Sequence, residues 1–314
     1  MIEVSNLTKR YGDRLAVEDL SFTVEPGVVT GFLGPNGSGK STTMRLILGL
    51  DTPTSGTALV SGRPYHDIDD PLLEIGAMLE ARAIHTGRSA RNHLRALAAT
   101  HAIPDWRVAE VIKLVGLEQV ADKRVGTFSL GMGQRLGIAS SLLGDPRTVV
   151  LDEPVNGLDP EGIRWVRELL RRLADEGKTV FLSSHMMSEM ALIAERLVVI
   201  GRGRLIANTT VEDFVARASA GAPVEVRSPR SAELRQAFER RDWSTDNPAP
   251  ETLVVEGASA AEIGDFVAEL GIPIHGLTPR QMSLEDAFMQ ITRSSVEFNI
   301  GADEHAERAL EEAA

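Results

Sequence analysis

Gly34-Pro35-Asn36-Gly37-Ser38-Gly39-Lys40-Ser41-Thr42 decides how the rest of the chain is read. The stretch fits the phosphate-loop pattern G-x-x-x-x-G-K-[ST] and lies between an apolar run, Val28 to Leu33, and a helical pattern, Thr43 to Leu50. That strand-to-helix setting is what the motif requires. Its glycines permit the tight turn that brings backbone N–H groups against phosphate oxygens, and the helix opening at the lysine turns its positive end toward them. In such a loop Lys40 bridges the β- and γ-phosphates and Ser41 holds Mg²⁺.

Upstream, residues 2–8 and 15–24 read as short strands on either side of Tyr11-Gly12-Asp13, which predicts an antiparallel sheet ahead of the phosphate-loop strand. Tyr11 could stack on a nucleotide base, although taken alone plain packing or exposure explains it better. Downstream come strand-like runs at 57–60 and 75–80, then a mostly helical insertion over 87–126, within a helical subdomain of about 84–140. Ser129 is placed as the N-cap of the next helix, which Asp145-Pro146 ends. Thr148 to Glu153 is a buried strand with two carboxylates at its C-terminal end, where open α/β sheets bind ligands. An amphipathic helix at 162–176, a core strand at 179–184 with His185 at its end, a helix at 188–196 and strands near 197–200 and 203–207 follow. This alternation means a mostly parallel sheet with helices on both faces.

Beyond residue 217 the character changes. Residues 218–223 read as a linker, and a small ferredoxin-like α+β module follows: strand 224–228, helix 231–241, a hairpin through Asp246-Asn247-Pro248, helix 259–270, strand 272–276 and helix 284–293. The expected domains are thus 1–217 and 218–294, with a frayed or disordered acidic tail at 295–314.

Composition narrows the function classes. With 43% hydrophobic and 25% charged residues, the 314-residue chain is ordinary globular protein. A net charge of −12 argues against a large nucleic-acid footprint. Without cysteine there is neither a disulfide framework nor a thiolate-held zinc. No run is long and apolar enough to span a membrane, and Met1-Ile2-Glu3-Val4 lacks the layout of a signal peptide, so a cytoplasmic location is expected, at a membrane only through a partner.

A phosphate loop alone leaves GTPases, kinases and many ATPases open. The pair Asp152-Glu153 narrows the choice: on a strand neighbouring the phosphate loop, Asp152 can hold Mg²⁺ while Glu153 activates a water facing the γ-phosphate. His185 could hydrogen-bond the same phosphate.

These residues, in this order over about 2–207, resemble the ATP-binding subunit of an ABC transporter, a P-loop NTPase. Tyr11 matches the adenine-stacking aromatic, residues 34–42 the Walker A loop, Ser129 to Gln134 the signature motif, Val149 to Glu153 the Walker B strand with its catalytic glutamate, Gly157-Leu158-Asp159 the D-loop and His185 the switch histidine. The resemblance implies that two copies pair head to tail around two ATPs, with Ser129 and the N–H of Gly131 donating to the γ-phosphate held by the other copy. It also implies a separate membrane-spanning permease, which would hold the chain at the inner face of the cell membrane. Asn156 to Pro160 and Ser283 to Phe288 look like the bacitracin-type branch of antibiotic and multidrug exporters, although Ser283 with Asp286 also suits a plain helix cap.

Two positions depart from the family pattern. Leu130 stands where glycine is commonest, at a cost of about 1–2 kcal/mol if the position needs φ > 0. Glu80 replaces the usual Q-loop glutamine; its carboxylate can still reach Mg²⁺ through water, but its charge would alter how the site senses the transporter. The alternatives are a soluble ABC-class ATPase of DNA repair or translation, a non-catalytic regulatory subunit, and an importer subunit. The first is disfavoured by the acidic charge, by a single phosphate loop, and by Lys40 and Ser129 standing only 89 residues apart, too few for a long coiled coil.

Overall fold

Alternating buried and exposed positions at the N-terminus fold as an antiparallel pair, β1 (Ile2–Tyr11) and β2 (Arg14–Val24), with Ile2 opposite Val24 and Tyr11 opposite Arg14. The computed structural model describes residues 1–80, 84–219, 222–280 and 282–292. The acidic tail expected from 295 lies outside them. Next comes β3 (Val29–Leu33), buried at every residue as a strand covered on both faces must be. It runs into the phosphate loop and α1 (Lys40–Ile47). β4 (Ser55–Val60) pairs antiparallel with β1 and completes a three-stranded sheet in the order β2-β1-β4.

The one-turn α2 (Pro71–Glu74) leads to β5 (Ile75–Met78). The insertion consists of α3 (Ala90–Ala99), α4 (Asp105–Leu114) and α5 (Leu130–Ser141). It contains less helix than expected, because Gly116 in a left-handed conformation follows the end of α4 and only two short 3₁₀ turns occupy 118–127. β6 (Thr148–Asp152), α6 (Pro160–Asp175), β7 (Thr179–Ser183), α7 (Met187–Ile193), β8 (Arg196–Gly201) and β9 (Arg204–Thr210) follow.

The second sheet has six strands in the order β5-β6-β7-β3-β8-β9, parallel except where β9 turns back on β8. This corrects one expectation. The Asp152 strand, β6, does not neighbour the phosphate-loop strand, because β7 lies hydrogen-bonded between them. The loop ends that carry Asp152, Ser183 and the phosphate loop therefore stand side by side at the C-terminal edge, where ligands bind in such sheets. Phe22, Phe32 and Phe181 join the two sheets, with ring centroids 5.0 to 5.8 Å apart.

A second compact unit spans Val211–Ile291, so the break falls at Thr210/Val211 rather than after 217. Its first element, α8 (Val211–Ser219), is an amphipathic helix that buries Phe214 and Ala218 where a linker was expected to begin; Ala220 and Gly221 lie outside the described residues. Then come β10 (Val224–Arg227), α9 (Ser231–Glu239), β11 (Ser244–Ala249), β12 (Thr252–Glu256), α10 (Ala260–Glu269), β13 (Gly276–Pro279) and α11 (Leu284–Thr292). The antiparallel order β11-β12-β10-β13 within a β-α-β-β-α-β run is the ferredoxin-like arrangement.

Leu234 and Phe238 of α9 and Ile263 and Val267 of α10 pack on Val224, Val226, Leu253 and Val255. Trp243 lies against Phe238 and Phe266, and Arg241 covers the Phe266 ring at 4.0 Å. The last strand starts at Gly276, not 272, because the His275 N–H, just before it, is the group that meets the Arg227 carbonyl at 2.6 Å. Ser283 and Asp286 cap α11: the Asp286 carboxylate accepts from Ser283 Oγ at 2.6 Å, and the Asp286 N–H donates to Ser283 Oγ at 3.1 Å. Capping accounts for that pair without a further role.

Candidate functional site

The phosphate loop is held in shape by glycines at two positions where no other residue fits. Gly39 has φ 104°, and a Cβ there would meet the Ala16 carbonyl oxygen at 2.6 Å. At Gly34 a Cβ would meet the Ile200 carbonyl oxygen at 2.6 Å. The loop thus lies directly on the backbone of β2 and β8. Lys40 opens α1 and folds back, its Nζ donating to the carbonyls of Gly34 at 2.6 Å and Pro35 at 3.1 Å. Burial pushes the Lys40 ammonium below its ordinary pKa, opposed by the nearby carboxylates of Glu153 and Asp152. Ser38 is buried as well, and its Oγ has no hydrogen-bond partner among the described residues.

From the neighbouring strand ends, Asp152 accepts from Ser41 Oγ at 3.0 Å through one carboxylate oxygen and from Ser183 Oγ through the other. Glu153 follows with φ 52°, a left-handed backbone that costs a non-glycine residue about 1–3 kcal/mol and is found mostly at functional sites. Its N–H meets Ser183 Oγ at 3.2 Å. Its carboxylate lies 2.8 Å from His185 Nδ1 and also accepts the His185 backbone N–H at 3.3 Å.

One cavity, of about 520 Å³, gathers these groups. Tyr11, Arg14, Ala16, Asn36, Gly37, Gly39, Lys40, Ser41, Thr42, Asp152 and Glu153 line it. Tyr11 is 44% exposed and ends β1 rather than sitting in the turn. Its hydroxyl donates to Asp51 at 2.8 Å, Arg45 holds the same carboxylate at 2.8 Å, and Lys9 covers one ring face at 4.7 Å. Burial and the bond to Asp51 raise the Tyr11 pKa above its ordinary value.

The structure does not bring every expected residue to this cavity. Gly34, Pro35 and Ser38 of the loop, His185, Ser129, Gly131, Asp159 and Glu80 are absent from its lining. Ser129 caps α5, accepting the Met132 N–H at 3.2 Å, and borders a separate cavity of about 230 Å³. Asp159 caps α6, accepting the Gly162 N–H at 2.9 Å. Glu80 is exposed and contributes to raising the pKa of Arg45, after Asp51. Leu130 needs no left-handed backbone: it is the first residue of α5 and bears no strain. Its side chain, 41% exposed, lies on Gly157, where a Cβ would come within 2.0 Å of Leu130 Cδ2.

Arg14, Asp51 and Ser183, at or near the site, were not singled out from the sequence, and Gln134 was read only as the end of the signature motif. Arg14 sits across the hairpin from Tyr11, a position readable once β1 is known to extend that far. The bonds of Ser183 and Gln134 with Glu153, and of Tyr11 with Asp51, each join residues at least 19 positions apart, a separation that leaves no local signal in the sequence. Next to Gln134, Arg135 donates to the Val115 carbonyl at 3.0 Å and stacks on Trp165 of α6 at 4.6 Å.

Among known proteins, the family profile described as ABC transporter matches residues 17–156, and one described as a domain of unknown function matches 222–285. The uncharacterized ABC transporter ATP-binding protein YhcH of Bacillus subtilis is 35% identical over 95% of this chain and 97% of its own length. The chain belongs to the ABC transporter family. This ABC ATP-binding subunit is 34% identical to the bacitracin transport ATP-binding protein BcrA of Bacillus licheniformis, over 93% of this chain and 97% of that one. A solved ATP-binding subunit of an ABC transporter superposes with a TM-score of 0.64 at 26% identity, covering 69% of this subunit and 92% of that chain. The ATP-binding cassette MJ0796, solved as a dimer in a post-hydrolysis state bound to ADP and Pi, gives 0.61 at 25% identity, covering 67% and 98%. The ABC subunit described here is an ATPase of a transport system. Among its described residues no helix is long and apolar enough to cross a membrane.

Proposed function

We propose that the chain is the ATP-hydrolysing subunit of an exporter of antibiotics, drugs or peptides, working as a head-to-tail pair of copies beneath a membrane-spanning permease. The observation that carries this reading is the division of the expected residues. Lys40, Ser41, Asp152 and Glu153 line one cavity, with His185 bonded to Glu153, whereas Ser129 and Gly131 do not reach it. One chain therefore presents two incomplete halves, and a second copy supplies the missing signature. BcrA, a bacitracin transport protein similar over nearly the whole chain, supports export, and the acidic charge favours a protein partner over nucleic acid.

Within the pair, Lys40 and the N–H groups of the loop hold the phosphates, and Ser38 Oγ has its acceptor there. Ser41 and Asp152 offer only hard oxygen donors, and no cluster of three or more His, Asp or Glu that could cage a metal occurs among the described residues. That set fits Mg²⁺, which keeps waters and takes the rest of its shell from phosphate. When bound, Mg²⁺ neutralises charge developing on the β- and γ-oxygens. Glu153 takes a proton from the attacking water, and His185 holds both that carboxylate and the terminal phosphate in place.

Turnover per chain, measured against chain concentration in Mg²⁺ and ATP, tests the composite site. We expect it to rise with concentration as dimers form; a rate independent of concentration, from a chain that stays monomeric, refutes the pairing. Tyr11→Ala should weaken ATP binding about tenfold, the worth of one stacked base, while leaving inorganic tripolyphosphate binding unchanged. Competition binding reads both, and equal loss for the two ligands would remove Tyr11 from the adenine site.

A further inference from the structure

Gln134 is a buried polar residue that neither the phosphate chemistry nor the cap of α5 uses. It lies on α5, 3% exposed, among the apolar residues Leu136, Ile138 and Ala139 of the same helix. Its Nε2 donates to the main-chain carbonyl of Glu153 at 2.7 Å. That bond acts on a backbone already out of the ordinary: Glu153 has φ 52°, and its N–H is tied to Ser183 on the other side. The peptide groups flanking Glu153 are thus gripped by two elements, β7 through Ser183 and α5 through Gln134. From this doubly held backbone the Glu153 carboxylate reaches the cavity and lies 2.8 Å from His185 Nδ1.

The helix that provides Gln134 also starts at Ser129, and its first turn leans on the loop after Glu153. Leu130 covers Gly157, and a Cβ on Gly131 would touch Leu158 Cδ2 at 3.3 Å. α5 therefore contacts residues 153–158 at two places one turn apart, and a small displacement of the helix must move the Glu153 carbonyl or break its bond.

We infer that Gln134 is a positioning residue for Glu153: by fixing the Glu153 carbonyl it holds the left-handed backbone that aims the carboxylate, and it makes hydrolysis in one cavity depend on the placement of the signature helix, which serves the other. This inference rests on the assignment of Glu153 as the general base.

Two variants test it in the full chain: Gln134→Met keeps length without a donor, and Gln134→Glu keeps shape and loses the N–H. For each, kcat, KM for ATP and the fraction of dimer in ATP are measured beside wild type and Glu153→Gln. The expected result for both Gln134 variants is a fall in kcat of about tenfold or more with KM within about twofold and dimer formation retained. Losing only the orientation of a base lowers kcat alone, whereas a loosened fold lowers binding and dimer formation with it. Wild-type kcat in either folded variant overturns the inference, and so does a parallel loss of kcat, ATP binding and dimer. If Glu153→Gln itself turns over ATP like wild type, the general-base assignment falls instead, whatever Gln134 does.

Discussion

Glu153→Gln lowers ATP turnover by about 10²–10⁴-fold while ATP binding persists and dimers accumulate in ATP. The amide keeps the size and the bond to His185 but cannot take a proton from water, and general-base catalysis is worth that range. Binding persists because, in the proposed site, the phosphates rest on Lys40 and the loop N–H groups, all of which the substitution leaves in place. Dimers accumulate because the step that separates them no longer proceeds. Steady-state phosphate release and light scattering with and without ATP check this. Wild-type turnover in the variant would take the general base away from Glu153 and leave the search among the other groups lining the cavity.

Lys40→Ala carries the second large effect, on binding rather than on chemistry. The ammonium is buried and donates to the carbonyls of Gly34 and Pro35, and burial already works against its charge. Hydrogen bonds to a charged group contribute about 1.5–3 kcal/mol, so removing Lys40 weakens ATP binding about ten- to a hundredfold. The same substitution takes an imperfectly compensated charge out of a half-closed site, so the thermal unfolding midpoint in the absence of nucleotide stays level or rises. Titration calorimetry and thermal melts read the two together. A variant that bound ATP normally would show that Lys40 is not a phosphate ligand; one that lost stability and binding in step would show that its place is structural.

The signals legible in the sequence are those in which chemistry and geometry are local. The phosphate loop, the carboxylate pair 152–153 and the caps at Ser129 and Ser283 each depend on residues within a few positions of one another, and both caps stand as read. Strand order was not legible. Whether β6 or β7 lies next to β3 is settled by how the crossover helices pack on the sheet faces, and both strands read as the same apolar run.

The break between the two units escaped for a related reason: residues 211–219 are amphipathic, and nothing in that pattern says which core the apolar face joins. Leu130 looked costly because the family pattern suggests glycine, but the position is an ordinary helix start, and the space glycine would leave is taken up against Gly157. The anchor of Tyr11 on Asp51, and of Glu153 on Ser183 and Gln134, joins residues that only the closed fold makes neighbours.

The three indoles give the chain its own optical probes. Trp165 faces the guanidinium of Arg135, one residue from Gln134, so a change in its emission on adding ATP is the expected sign that the signature helix moves. Trp243 stands in the aromatic cluster of the C-terminal unit, and Trp106, 67% exposed, emits as a solvated background. With Trp106 replaced by Phe, the two remaining signals separate the halves of the molecule without any label: one follows nucleotide, the other follows unfolding of residues 211–291.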